Sequence, residues 1–125
     1  MKKKNTLLLF LCLFSLWAVA QEKKPVKIAC VGNSITYGSG IKNQFQNSYP
    51  GLLSQLLGEG YDVRNFGISA RVLLNKGDHP YMHEQKFRDL LAFQPDIVTI
   101  KLGTNDSKPW NWRYGKDFKK DLITS

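Results

Sequence analysis

Cysteine is scarce in this sequence. Two occur in 125 residues, Cys12 and Cys30, and no zinc or iron–sulfur ligand spacing can be built from them. Cys12 lies in the amino-terminal apolar run, so Cys30, inside an apolar strand pattern, is expected to be a small hydrophobe without a disulfide partner. No apolar run approaches the roughly 20 residues that a spanning helix needs. Neither glycine-rich phosphate loop, G-x-G-x-x-G or G-x-x-x-x-G-K-[ST], occurs, which argues against nucleotide binding. The formal net charge of +8 comes from scattered lysines and arginines rather than from a basic stripe interleaved with aromatics, so no nucleic-acid partner is expected. Repeats and low-complexity tracts are absent.

What is present begins with a leader. Lys2, Lys3 and Lys4 precede an apolar run over residues 6–17 and the small-residue end Ala18-Val19-Ala20. That is the pattern of a secretory signal peptide over residues 1–20. It predicts a secreted or periplasmic protein, cleaved near Ala20, with no stable membrane anchor. The segment "QEKKP", residues 21–25, reads as a linker, and residues 26–125 as one domain, since a chain of this size has surface to bury for one core and not for two.

Within that domain the apolar pattern alternates. Residues 26–31 form a short, nearly continuous apolar run, typical of a strand covered on both faces. From Ser48 a helix is expected, with Ser48 as cap, Pro50 in the first turn, Leu52, Leu53, Leu56 and Leu57 at helical spacing, and Gly58 and Gly60 as the stop. "YDVRNFG" is a second strand, residues 81–93 a second helix, "PDIVTIKLG" a third strand, and residues 113–123 the start of a third helix. Such alternation predicts a layered α/β fold around a parallel sheet. In such sheets ligands bind outside the carboxyl ends of the strands, which here continue into "GNSITYG", "GISARVLL" and "GTNDSKPWNW".

Each strand ends on a glycine, Gly32, Gly67 and Gly103, followed by small polar residues. Ser34 stands where its hydroxyl can project at the sheet edge while nearby N–H groups stay free to hold a tetrahedral oxyanion. The surroundings do not fit the G-x-S-x-G nucleophile elbow, because Thr36 occupies the place of its second glycine.

"VGNSITYG", "NFGISA" and "LGTND", in that order, resemble the first three sequence blocks of the SGNH (GDSL-like) hydrolases, and the "LGTNDSKPWNW" ending is most similar to the sialate O-acetylesterase-like carbohydrate esterases. The resemblance implies a three-layer α/β/α sandwich with a parallel, flavodoxin-like sheet. It implies Ser34 as nucleophile, with the Gly67 N–H, the Asn105 side-chain amide and the Ser34 N–H forming the oxyanion hole. Gly32, Asn33, Gly103 and Asp106 are expected to support these residues, and Arg71, Trp110 and Trp112 to contact substrate. The implied substrate is an acylated, commonly acetylated, carbohydrate or another small ester, and neither metal nor cofactor is called for.

The fourth block of that family, an Asp-x-x-His carrying the general base, has no counterpart in the sequence. The two histidines, His79 and His83, sit in "DHPYMH" ahead of the asparagine block and read as surface residues around a turn. The expectation is therefore an SGNH domain truncated at its carboxyl end, a serine esterase without its base. The alternative is a non-catalytic carbohydrate-binding remnant of such a domain. A flavodoxin-like phosphate binder shares the alternation but lacks the loop.

Overall fold

The computed structural model describes residues 23–124, so the expected leader lies outside the described residues. Three strands form one parallel sheet in the order β2-β1-β3: β1 (Val26–Gly32), β2 (Tyr61–Gly67) and β3 (Ile97–Lys101). The register sets Gly32 opposite both Gly67 and Lys101, so all three strands finish level at one edge. The loops that follow therefore start side by side, which is the arrangement a site shared among three segments requires.

Between β1 and β2 lie α1 (Ser34–Tyr37), α2 (Gln44–Asn47) and α3 (Tyr49–Leu57). Between β2 and β3 a 3₁₀ turn, Tyr81–His83, leads into α4 (Gln85–Phe93), and α5 (Pro109–Trp112), a second 3₁₀ turn and α6 (Phe118–Ile123) follow β3. The α3 boundaries follow local chemistry: Pro50 sits in the first turn, where its missing N–H has no role, and Gly58 ends the helix at φ 73°. Ser48 flanks the start as expected, yet its hydroxyl makes no capping bond and instead meets Asn65 Nδ2 at 3.4 Å.

Two expected helices are interrupted. Glu84 is extended (φ −82°, ψ 150°) with its carboxylate held by Arg71, so the pattern over residues 81–93 divides into a 3₁₀ turn and α4. Beyond β3 the chain turns through Gly115, which packs directly on the Trp112 indole where a Cβ would collide, and a regular helix resumes only at Phe118.

Alternation along β1 buries both faces. Ala29 and Val31 join Phe66, Tyr81, Leu90 and Phe93 in one apolar cluster, while Ile28 and the free Cys30 are buried on the opposite side. The Phe66 and Phe93 rings lie 5.7 Å apart, and Phe87 meets Tyr81 edge-on at 6.3 Å. β3 differs from the continuous burial its composition suggests. All five of its residues are exposed, Ile97, Val98 and Ile100 by 47, 44 and 50%. Its β-branched residues are explained by strand propensity, because no described element covers them.

Candidate active site

The end of β1 runs directly into α1. Asn33, 2% exposed, caps the helix, its Oδ1 accepting from the Ile35 N–H at 3.3 Å. Ser34 is thereby the first helical residue, half-buried at the carboxyl edge of the central strand, and neither its hydroxyl nor its N–H bonds to a described residue. Gly32 permits this tight junction, since a Cβ there would collide with the Thr36 side chain and lie 2.9 Å from the Lys101 carbonyl oxygen.

On the β2 side, Asn65 ties the strand to α1. Its Nδ2 donates to the Thr36 carbonyl at 2.8 Å, and its Oδ1 accepts the Gly67 N–H at 2.8 Å. Gly67 thus has its N–H engaged within the protein. Its lack of a side chain has a steric cause, because an added Cβ would sit 2.7 Å from the Thr36 carbonyl carbon, against the backbone of α1. An asparagine inside a strand is unusual, and that was the available signal for a residue the sequence reading passed over.

On the β3 side, Gly103 turns the chain at φ 116°, a conformation that favours glycine. Asn105 follows, and its Nδ2 donates to the Arg71 carbonyl at 3.1 Å. Asp106 is fully buried, its Oδ1 accepting the N–H groups of Leu73 and Leu74 at 2.8 Å each. Asn111 links the same two loops, donating to the Asn105 carbonyl at 2.8 Å and accepting from the Asp78 N–H at 2.7 Å. Asp121 accepts from the Asn75 N–H at 2.9 Å. Four side chains that follow β3 therefore fasten the loop that follows β2. Of these, sequence reasoning picked Asn105 and Asp106 but missed Asn111 and Asp121, which no local pattern distinguishes from surface polar residues.

A fifth tie is electrostatic. Lys76 meets Asp117 at 3.1 Å, and the hydrogen bond between them holds the lysine above and the carboxylate below their ordinary ranges. Both groups are at the surface, so the tie is weak. Tyr81 is a stronger one: its buried hydroxyl donates to the Phe66 carbonyl at 2.6 Å, and burial pushes the phenol far above its usual range.

The expected substrate-contact residues are placed unevenly. Arg71 is engaged rather than free, its guanidinium paired with Glu84 at 2.8 Å and donating to the Ser69 carbonyl at 3.1 Å. Trp110 and Trp112 on α5 are 55% and 53% exposed, with Trp112 packed on Phe118 at 5.9 Å between ring centres. His79 lies in the left-handed region (φ 54°) at 3.4 Å from Asp78, both exposed, and neither histidine is bonded to Ser34. A groove of about 1050 Å³ runs along the outer edge of β2, with Tyr37 and Lys86 among its walls but not Ser34 or Asn105. Among the described residues no group of His, Cys, Asp or Glu is arranged to hold a metal ion, and no helix is long and apolar enough to cross a membrane.

The sequence pattern of the GDSL-like Lipase/Acylhydrolase family matches residues 30–119. An acetylxylan esterase from Xylanibacter ruminicola (strain ATCC 19189) is 56% identical over 103 residues. The match covers 82% of this chain and 22% of that protein, so the chain spans about a fifth of the relative's length. No solved structure matches.

Proposed function

The chain belongs to the GDSL-like lipase/acylhydrolase family, and from that premise we propose that it carries part of a serine esterase that removes acetyl groups from carbohydrate, acetylated xylan being the first candidate. The observation that carries this reading is the position of Ser34: a hydroxyl and an N–H that bond to no described residue, at the end of the central strand and level with the strand ends that lead into the Gly67 and Asn105 loops. The similarity to an acetylxylan esterase supports the substrate class. The lysine-led apolar leader supports export to the periplasm or medium.

In the reaction, Ser34 Oγ adds to the ester carbonyl carbon and the carbonyl electron pair moves onto oxygen. Donors converging on that oxygen stabilise the charge as it forms, each on the order of 10²–10³ in rate. Collapse expels the sugar oxygen, which takes up a proton, and leaves acetyl on Ser34. Water then adds to the acyl carbon and acetate departs, so the sum is ester plus water giving alcohol plus acetate. The serine proton passes to solvent here, because no described base is bonded to Ser34 Oγ. Turnover by the chain alone is then expected near the residual level that oxyanion stabilisation and binding sustain, on the order of 10³–10⁴ over water in triad enzymes.

The positions of His79 and His83 favour a second reading, in which these loops bind acetylated glycan without hydrolysing it. Acetate release from acetylated xylo-oligosaccharides, by the chain and by its Ser34→Ala variant, separates the two. Release that depends on Ser34 supports the esterase; glycan binding with no release by either supports the second reading.

A further inference from the structure

The groove of about 1050 Å³ along the outer edge of β2 does not include Ser34, and it is lined by five side-chain amides. Gln44, Gln46 and Asn47 come from α2, Gln55 from α3 and Asn65 from β2 itself. Tyr37 also lines it, and Tyr37 ends the single turn of helix that Ser34 begins. The groove therefore starts beside the candidate active site and leads away from it.

Three of the amides are held in the same way. Gln44 Nε2 donates to the Tyr37 carbonyl, Asn47 Nδ2 to the Lys42 carbonyl at 2.7 Å, and Gln55 Nε2 to the Gln46 carbonyl at 2.9 Å. Each spends one N–H on the backbone and keeps a second N–H and a carbonyl oxygen with no partner among the described residues. The backbone beneath them is fixed too: Gly51 packs so closely on the end of α2 that an added Cβ would lie 2.7 Å from the Gln46 carbonyl oxygen. The charged lining residues are already engaged. Arg64 makes two bonds to Asp62, at 3.1 and 2.8 Å, and Lys86 donates to the Gly67 carbonyl at 3.2 Å while standing 5.8 Å from the centre of the Tyr37 ring. Phe45, 90% exposed, adds an apolar ring to the lining.

An amide with one acceptor and one donor to spare matches a hydroxyl, which donates one hydrogen bond and accepts another. Several such amides in fixed positions, with the charges engaged elsewhere, select a neutral ligand that carries many hydroxyls. An exposed aromatic ring supplies a surface for the apolar C–H face of a sugar. A peptide added to the edge of β2 would draw on the strand's backbone and leave these amides without a use. We propose that this groove is a second binding site, for a neutral oligosaccharide chain, separate from the reacting centre at Ser34. The proposal goes beyond the esterase reading, and only the choice of sugar for its test rests on that reading. A polysaccharide held here keeps its acyl groups near Ser34 and raises their effective concentration there.

The test is a titration of the isotope-labelled chain with xylohexaose, which carries no ester, followed by nuclear magnetic resonance. The side-chain amide signals of Gln44, Asn47 and Gln55 are expected to shift together and to saturate. Phe45→Ala and Gln46→Ala remove exposed side chains that have no described hydrogen-bond partner, so the double variant is expected to keep the parent Tm. Its affinity for xylohexaose is expected to fall about tenfold or more. Absence of binding, shifts confined to the residues around Ser34 and Asn105, or an unchanged affinity in the double variant overturns the site. Tighter binding of tetra-alanine than of the sugar assigns the groove to a peptide and overturns it as well. So do groove signals that move on dilution without sugar, together with a change in sedimentation, because a second copy then fills the groove. The esterase reading is decided separately, by whether acetate release depends on Ser34.

Discussion

Asp106 and Leu73, 33 residues apart in sequence, are joined by a buried hydrogen bond of 2.8 Å from the Leu73 N–H to the Asp106 carboxylate. The same oxygen accepts the Leu74 N–H, and the second carboxylate oxygen lies 3.1 Å from the Leu73 nitrogen. Backbone amides here compensate a carboxylate taken wholly out of water. Asp106→Asn turns a donor group toward N–H donors and weakens the charge-assisted bonds, and is expected to destabilise the fold by about 1.5–3 kcal/mol. The shift in urea midpoint measures it.

Gly67 meets the backbone of α1 at Thr36 and Tyr37, where neither neighbour is a flexible side-chain end. Gly67→Ala is therefore expected to destabilise by about 1–3 kcal/mol, through displacement of α1. Thermal unfolding checks the loss, and a substitution without effect on Tm contradicts the close approach.

Tyr81 predicts an alkaline limit. Its phenol stays protonated in the fold well above the pH near 10 at which an unfolded tyrosine ionises, owing first to burial and then to the nearby Glu84 charge. Above about pH 10 the unfolded chain binds fewer protons than the native one, so stability falls as pH rises. Its contribution is complete below that pH. Tyr81→Phe gives up the bond to the Phe66 carbonyl, costing about 0.5–1.5 kcal/mol at neutral pH, and is expected to show a shallower decline between pH 10 and 11. Urea midpoints against pH for both chains decide it.

Thr36 is fully buried, and its Oγ1 has no hydrogen-bond partner among the described residues. Removing an unsatisfied buried hydroxyl at nearly constant volume relieves a desolvation penalty of about 1–3 kcal/mol. Thr36→Val is expected to raise Tm; a fall of similar size means that the hydroxyl has a partner the fold requires.

The strands were legible because they obey local rules. The run at residues 26–31, "YDVRNFG" and the β-branched centre of "PDIVTIKLG" are each short and carry β-branched or aromatic residues, and each stops at glycine or just before one. Ser34 and Asn105 were legible for the same reason, as polar residues directly after those stops. The helix breaks at Glu84 and Gly115 were not, since one depends on an ion pair with Arg71 and the other on an indole packed against glycine. Gly67 shows the limit most clearly. From sequence a glycine in a block of this kind suggests an open N–H, whereas the fold uses it for close packing and gives the N–H to Asn65.

The proposed reaction requires Ser34 to be an acyl-accepting nucleophile. With no described base bonded to it, deacylation is expected to lag behind acylation, so that the acyl form accumulates. The direct measurement is peptide mass spectrometry after incubation with p-nitrophenyl acetate and an acid quench. One added acetyl group is expected on Ser34, with none on its neighbours Ser39 and Tyr37 and none in the Ser34→Ala chain. An unmodified Ser34, with ester hydrolysis as fast in Ser34→Ala as in the parent chain, contradicts it.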